Sequence, residues 1–551
     1  MKFEILNNEL DLPLLDRLLK IRNIDLDKKE DFLNPDWKNF WYSPFLLSDM
    51  DKSIERILKA IKNNERIVVF WDYDVDGVTA TYVVFYFIYK FLNYKNISIR
   101  LPSRADGYGI RGFHLDELKE KWVSLVITVD NGITAVEEAE YAKKIGLDLI
   151  ITDHHTPLDV LPNSFALVDP KTSPEYPFKE IAGVWVAFKL ITALANKLNL
   201  DKKTKEKMMN YFLPIVAIWT VADCVPLVDE NRLLVKKWLE IINNKNKRPP
   251  NIQNMIDFLN LKNVDSYHIG FVIWPRLNAS WRIYKPDDSF QALFQHNCEA
   301  QTKYLEKLDE LNKKRQDTQS DILSEVEKNI DLSKNILVSY WEFHEWVIGI
   351  VSWRLTEKHN KPSIIMHVDK EKWIAVGSCR APMYFSIVKM LNDIWKDGLL
   401  ERFGWHAQAG WLTVKLDNID TFVQAVYKYW ENILPEELEK LVFVDTEITE
   451  KDLLSEDINE VWKLAPFGEQ NPQPTFLIKN VQIKKIDFVW KQQNHLKIYA
   501  QKDWIDLILI RWSGKTMLDK IWGRQNIDII ANYEKDDYNG GFYFKIKELI
   551  L

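Results

Sequence analysis

Between Arg66 and Asp169 the chain repeats one pattern four times: a short apolar, largely β-branched run, an aspartate, then a stretch long enough for a helix or loop. The runs are RIVVF, SLVITVD, LDLIITD and FALVD, and a typical intervening stretch is AVEEAEYAKKIG. Runs that are apolar at every position suit strands covered on both faces, and their alternation with helices predicts a parallel sheet of the α/β class. Ahead of this region, residues 1–45 carry Leu15, Leu18, Leu19 and Ile21 at helical spacing, which predicts a short helical segment. Tyr82 to Phe91 is aromatic-rich and reads as a buried helix, residues 200–245 read as helical, and about 285–332 reads as one long charged helix. Strand signals resume at ILVSYW and open a second α/β unit that runs to about 435. The tail carries the turn-rich APFGEQNPQPTF and then the alternating runs HLKIYAQ, IDLILIRW, IDIIANY and FYFKIKELI, which predict a small β-barrel of OB type. The predicted division is 1–45 helical segment, 46–245 parallel-sheet domain, 246–332 connecting helical region, 333–435 second α/β domain and 440–551 barrel.

Composition narrows the class. A chain of 551 residues is too long for one core. With 46% hydrophobic and 28% charged residues it has the make-up of a folded, water-soluble protein. The net charge of −7 means that any binding of nucleic acid must use local basic surfaces. Cys224, Cys298 and Cys379 are far apart without a CxxC pair, which argues against a disulfide framework and a zinc site. The N-terminus lacks a signal-peptide core, and no apolar run approaches the ~20 residues that span a bilayer. The expectation is a cytoplasmic protein without membrane contact.

The acids at the strand ends change the picture from fold to chemistry. FWDYDVDGVTA places Asp72, Asp74 and Asp76 at alternate positions before Gly77, where the strand is expected to turn into a helix. Asp130 follows in TVDNGI, Asp153, His154 and His155 in ITDHHTP, Asp169 after FALV, and Asp223 in TVADCVPL. In parallel sheets, functional groups collect at the carboxyl ends of the strands. Crowded carboxylates raise one another's pKa unless cations neutralise them, and oxygen-rich sites with an imidazole suit Mn²⁺ or Mg²⁺. Each motif alone also has a plainer reading: a solvated turn for DxDxD, a structural histidine pair, and a helix N-cap or buried hydrogen bond for Asp223. An EF-hand is excluded because the twelfth position from Asp72 is Val83.

DYDVDG, VDNG, DHH and TVADCVPL, in this order, resemble motifs I to IV of the DHH phosphoesterase superfamily, and WPRLNASWRI and FGWHAQAGW resemble its RecJ branch. The resemblance covers nearly the whole chain. It implies a metal-dependent 5′→3′ exonuclease of single-stranded DNA in repair and recombination. Phosphodiester hydrolysis would use two ions, Mn²⁺ or Mg²⁺, without a covalent intermediate. Residue by residue it implies Asp74, Asp76, Asp130, His154 and Asp223 as metal ligands. Asp72 and His155 would be catalytic groups behind them or against the scissile phosphate. Arg104, Arg276, Asn278, Ser378, Arg380 and His406 would face the nucleic-acid backbone, with Ser378 and Arg380 placed to select a terminal 5′-phosphate. A monomer assisted by a helicase and a single-strand-binding protein is expected. The alternatives are an oligonucleotide or cyclic-dinucleotide phosphodiesterase of the same superfamily, and a non-catalytic DNA-binding scaffold.

The chain has 22 tryptophans and 18 glycines, where a protein of this length would ordinarily hold roughly forty glycines. Trp71, Trp185, Trp219, Trp274, Trp281, Trp346, Trp405 and Trp411 stand where the resembled family has glycine. Trp122, Trp238, Trp373, Trp490 and Trp504 stand where glycine would be the ordinary turn or cap residue. Trp37 and Trp41 read as true aromatics. The pattern points to glycine encoded by UGA, with a divergent inactive homologue as the alternative.

Overall fold

The computed structural model describes residues 2–71, 75–100, 109–283, 287–295, 297–406, 408–431, 441–455, 457–489, 495–512, 514–536 and 540–550. The chain forms two compact units, one of Leu6–Leu308 with Val444–Leu551, the other of Met1–Ile5 with Asp309–Phe443. β1 (Lys2–Ile5) belongs to the second.

In the first unit, β2 (Arg66–Trp71), β3 (Ile97–Arg100), β4 (Val123–Val129), β5 (Asp148–Thr152) and β6 (Ala166–Val168) form a wholly parallel sheet in the order β3-β2-β4-β5-β6. The runs are apolar throughout because both faces are covered. Ile67, Val69, Leu125 and Ile127 point into one core with the helices Val75–Tyr86 and Gly183–Lys197, while Val68, Phe70, Val126 and Ile151 point into another with Leu115 and Ala139. Strand order reverses between β2 and β4, and such a reversal opens a crevice at the carboxyl ends of the two strands.

Three expectations about helices are corrected. The helix after β2 already starts at Val75, so Gly77 lies in its first turn rather than at a break before it. It then continues through a wider turn at Phe87–Phe91. The long helix begins at Cys298 rather than near 285, because Asn297 Oδ1 accepts the Ala300 N–H at 2.9 Å and caps it, and a separate helix covers Asp287–Phe294. Trp238 is not at a helix end but inside the helix Asp229–Ile242.

The second unit holds a mixed sheet of β7 (Leu337–Trp341), β8 (Ser363–Asp369), β9 (Ile374–Arg380), β10 (Arg402–His406) and β11 (Ala409–Lys415), ordered β10-β11-β9-β8-β7. Only β7 and β8 run parallel. β12 (Leu441–Val444) pairs with β1.

Back in the first unit, β13 (Thr446–Glu447) leads into β14 (Thr475–Val489), β15 (His495–Lys502), β16 (Ile505–Arg511), β17 (Asn526–Lys535) and β18 (Phe542–Ile550). Because β14 pairs with both β15 and β17, the five long strands close into a barrel. Its core of Phe476, Ile478, Leu496, Ile498, Leu509, Ile529 and Phe544 includes Leu14, Leu15, Leu18 and Leu19, so the amphipathic helix Leu14–Ile21 packs into the barrel core. Arg17 of that helix is fully buried, donates to Thr446 Oγ1 at 2.9 Å and pairs with Asp452.

Candidate metal centre

The crevice is built from the backbone outward. Asp130 is the residue after β4, held in the left-handed region at φ 59° with its N–H on Thr152 O at 3.0 Å. Asp153 is the residue after β5, and its carboxylate is turned onto its own loop. It accepts from the N–H groups of Ile133 (2.9 Å), His154 (2.7 Å) and His155 (3.2 Å), and lies 2.7 Å from His155 Nδ1. Tying the two loops together presents His154 Nε2 to three acids: Asp130 Oδ1 at 3.1 Å, Asp223 Oδ2 at 3.8 Å and Asp76 Oδ2 at 3.9 Å.

Asp76 arrives from the first turn of the helix Val75–Tyr86 and accepts the Gly183 and Val184 N–H groups, at 2.7 and 3.2 Å. It thereby sits on the positive end of the helix Gly183–Lys197. Glycine at 183 is a steric necessity, since a Cβ there would lie 2.5 Å from Asp130 Oδ1. Asp223 stands at the C-terminal end of the helix Lys202–Ala222, so its predicted plainer role as an N-cap does not hold.

One ligand atom each from Asp130, His154 and His155 lies within 4.8 Å of the others, and the same is true of Asp76, His154 and Asp223. The two sets meet at His154. Burial pushes its imidazole down to about 3, with neighbouring His155 acting in the same direction, so it is neutral and keeps a lone pair for a cation. Neither set contains a positive side chain. Convergent carboxylates around a neutral imidazole fit hard divalent ions such as Mn²⁺ or Mg²⁺.

Of the acids that follow strands, Asp130 enters this cluster, Asp153 touches it through His155, and Asp169 is in neither set. Burial would raise the Asp153 carboxyl, but the hydrogen bond and charge of His155 and the backbone donor at Ile133 hold it below its ordinary value. Asp169 is raised to about 7 by burial and by the charge of Asp153, although its Oδ1 accepts the Lys171 N–H at 2.6 Å. Motif reading named Asp153 among the strand-end acids without giving its role as organiser, and it missed Gly183 as spacer, since the close approach at 183 has no signature in spacing or polarity.

Asp72, Asp74 and Arg104 lie outside the described residues, as does the side chain of His406, whose backbone ends β10. Arg276 and Asn278 are half-buried on the helix Trp274–Ile283. Two positions apart on a helix, they leave different sides of it, and Arg276 Nη1 donates back to Val272 O at 2.8 Å. In the second unit, Ser378 and Arg380 share a face of β9, and Arg380 Nη1 donates to Ser378 Oγ at 3.0 Å. Gly349, in the first turn of the helix Ile348–His359, approaches so closely that a Cβ would lie 3.1 Å from Ser378 Oγ.

The DHH family N-terminal domain matches residues 66–218, and the RecJ OB domain matches 444–547. The single-stranded-DNA-specific exonuclease RecJ of Bacillus subtilis is 32% identical over 536 residues, covering 96% of this chain and 66% of that protein. Its namesake in Haemophilus influenzae is 28% identical, covering 89% of this chain and 87% of the relative. The chain thus spans slightly less than two thirds of the first relative and most of the second. The fold matches the crystal structure of Thermus thermophilus RecJ in complex with Mn²⁺, at TM-score 0.81 and 22% identity over 98% of this chain and 76% of that one. A crystal structure of exonuclease RecJ bound to manganese matches at TM-score 0.60 and 26% identity, over 70% of this chain and 96% of that one. The chain thus combines a DHH family N-terminal domain with a RecJ OB domain, and it is similar to RecJ exonucleases over most of its length.

Proposed function

We propose that this protein is a metal-dependent exonuclease that removes nucleotides from the 5′ end of single-stranded DNA in repair and recombination. The observation that carries the reading is the convergence of Asp76, Asp130 and Asp223 on the neutral imidazole of His154 at the strand-order reversal. Divalent ions held by these residues would acidify water and neutralise charge on the phosphate oxygens. The chain's own contribution is placement. Asp76 is fixed by the N–H groups of Gly183 and Val184, and His155 by Asp153, so the donors need little reorganisation when substrate arrives. Asp72 and Asp74 are assigned to the same centre, with Asp72 and His155 against the scissile phosphate.

Arg104, Arg276, Asn278 and His406 are assigned to the DNA backbone, and Ser378 with Arg380 to a terminal phosphate, for which a guanidinium already hydrogen-bonded to a hydroxyl is a suitable fork. The barrel favours a polymeric substrate over a cyclic dinucleotide, since closed barrels of this kind bind strands by stacking and phosphate contact. Action as a cytoplasmic monomer, with a helicase and a single-strand-binding protein supplying substrate, belongs to the same reading.

The test is a time course with Mn²⁺ on 5′-labelled single- and double-stranded DNA, run beside Asp130→Ala and Asp223→Ala. The expected result is release of label from single strands only, with cleavage by both variants reduced at least ~100-fold and DNA binding retained. Cleavage confined to dinucleotides would replace the reading with the oligonucleotide phosphodiesterase, and binding without cleavage by the unsubstituted chain would replace it with the scaffold.

A further inference from the structure

Three tryptophans occupy backbone that L side chains rarely adopt: Trp122 at φ 59°, Trp373 at φ 59° and Trp504 at φ 73°. Each sits where local geometry asks for glycine. Trp122 follows the helix Gly112–Glu120, with its N–H on Lys119 O at 3.0 Å, the left-handed position that ends helices. Trp504 and Asp503 (φ 45°) are the two-residue connection between β15 and β16, where a type I′ turn favours Asp-Gly. Trp373 closes the turn between β8 and β9. These residues are 87%, 55% and 90% exposed, in the order 122, 373, 504, so the indoles at 122 and 504 gain almost no burial, whereas that of Trp373 is partly covered and donates its Nε1–H to Asp417 Oδ1 at 3.0 Å.

Size and aromaticity do not explain these positions. The chain has 27 Phe and 21 Tyr, yet among the described residues none is left-handed; apart from Trp, the left-handed positions hold Gly, Asn, Asp, Cys224 and Gln470.

A second group fails in the opposite way. Trp71 and Trp219 are wholly buried, and among the described residues neither indole N–H has an acceptor, which genuine core tryptophans usually find. Trp238 and the half-buried Trp462 share the orphaned N–H. Trp411 pairs with Gly404 on β10 and Ser378 on β9, and a Cβ on residue 404 would collide with its Nε1. The indole thus lies over the sheet face that carries Ser378. By contrast Trp41 packs edge-on against Trp37 at 5.4 Å and under Lys189 Nζ at 3.9 Å, as an aromatic selected for its ring does.

We propose that positions 71, 122, 219, 373, 411 and 504 are glycine in the protein as its own cell makes it, their codons being UGA read as glycine, while Trp37 and Trp41 are tryptophan. This stands on backbone conformation and hydrogen bonding and does not depend on the nuclease reading.

Two measurements test it. In the gene, UGA is expected at all six positions and UGG at 37 and 41; UGG at the six overturns the proposal. In the expressed chain, Trp122→Gly, Trp373→Gly and Trp504→Gly should each raise Tm. Trp71→Gly with Trp219→Gly should raise soluble yield several-fold, and Trp41→Gly should lower Tm. If Trp71→Gly and Trp219→Gly instead lower yield and Tm, as emptying a native core does, the tryptophans are genuine and the proposal fails. Should the unsubstituted chain be insoluble, the codons alone decide, together with the masses of tryptic peptides from the natural protein spanning positions 122 and 504.

Discussion

Asp153 and Asp169 follow neighbouring strands in the same way, and the fold uses them in opposite ways. Asp153 is surrounded by donors and stays ionised, so it can anchor the loop that presents His154 and His155. Asp169 has donors on Oδ1 only, while its buried Oδ2 has no partner among the described residues. Its carboxyl is raised to about 7 by burial first and by Asp153 second. A carboxyl with a raised native pKa makes the folded state bind more protons than the unfolded one, so stability is lost as pH climbs from about 4 through about 7. Asp169→Asn keeps the Oδ1 acceptor and removes the charge. It is expected to raise Tm at pH 8, to change it little at pH 4, and to flatten the profile between; melting curves at the two pH values check this, and parallel profiles would count against it.

The crevice depends on how closely two elements approach. The N-terminus of the helix Gly183–Lys197 touches both Asp76, through its N–H groups, and Asp130, through the absence of a side chain. Gly183→Ala introduces a methyl 2.5 Å from Asp130 Oδ1, which must move or be pushed aside. The expected outcome is a stability loss of about 1–3 kcal/mol with Mn²⁺ affinity and cleavage reduced ~10–100-fold, although every acid is retained; calorimetric Mn²⁺ titration beside an activity assay separates the two effects. The same helix shows how far the sequence could be read. Continuous apolar runs announced β2 and β4 to β6 and their parallel pairing, because strands buried on both faces leave no polar alternation. Asp76, Asp130, His154 and Asp223 were legible because metal ligation demands acids and imidazole in quantity. The start of the helix at Val75, the Asn297 cap and the role of Asp153 were not, because each depends on where a carbonyl or carboxylate points after packing. The burial of Leu14, Leu15, Leu18 and Leu19 in the barrel was equally hidden, since it joins segments more than four hundred residues apart.

At the scale of the molecule, the barrel is joined to the parallel-sheet domain by buried polar contacts. Arg232 is 1% exposed and donates to Phe32 O at 2.7 Å, Leu464 O at 2.8 Å and Ala465 O at 3.1 Å, linking the helix Asp229–Ile242 to both segments that lead into the barrel. Arg232→Met would strand those carbonyls at a cost of about 1–3 kcal/mol each, and calorimetry should show a separate, earlier barrel transition. Charge sets the other whole-molecule constraint. With a net charge of −7 the chain as a whole repels DNA, so the proposed function requires a local attraction. One outward face of the barrel meets that need: Lys485 and Lys497 lie 5.6 and 5.1 Å from the ring centroid of Tyr499, which is 37% exposed beside Ile508 on β16. An exposed ring flanked by ammonium groups offers a base a stacking surface and its phosphates a counter-charge. Tyr499→Ala should weaken binding of a single strand by about 1–3 kcal/mol while leaving the slope of log K against log salt unchanged. Lys485 is already paired with Asp487 at 2.7 Å, so Lys497→Gln is the substitution that should reduce that slope by ~0.7, the value for one released counterion on a single strand. Anisotropy titrations at several salt concentrations separate the two, because stacking does not release ions and phosphate contact does. If both variants bind as the parent does, the strand follows another face of the barrel.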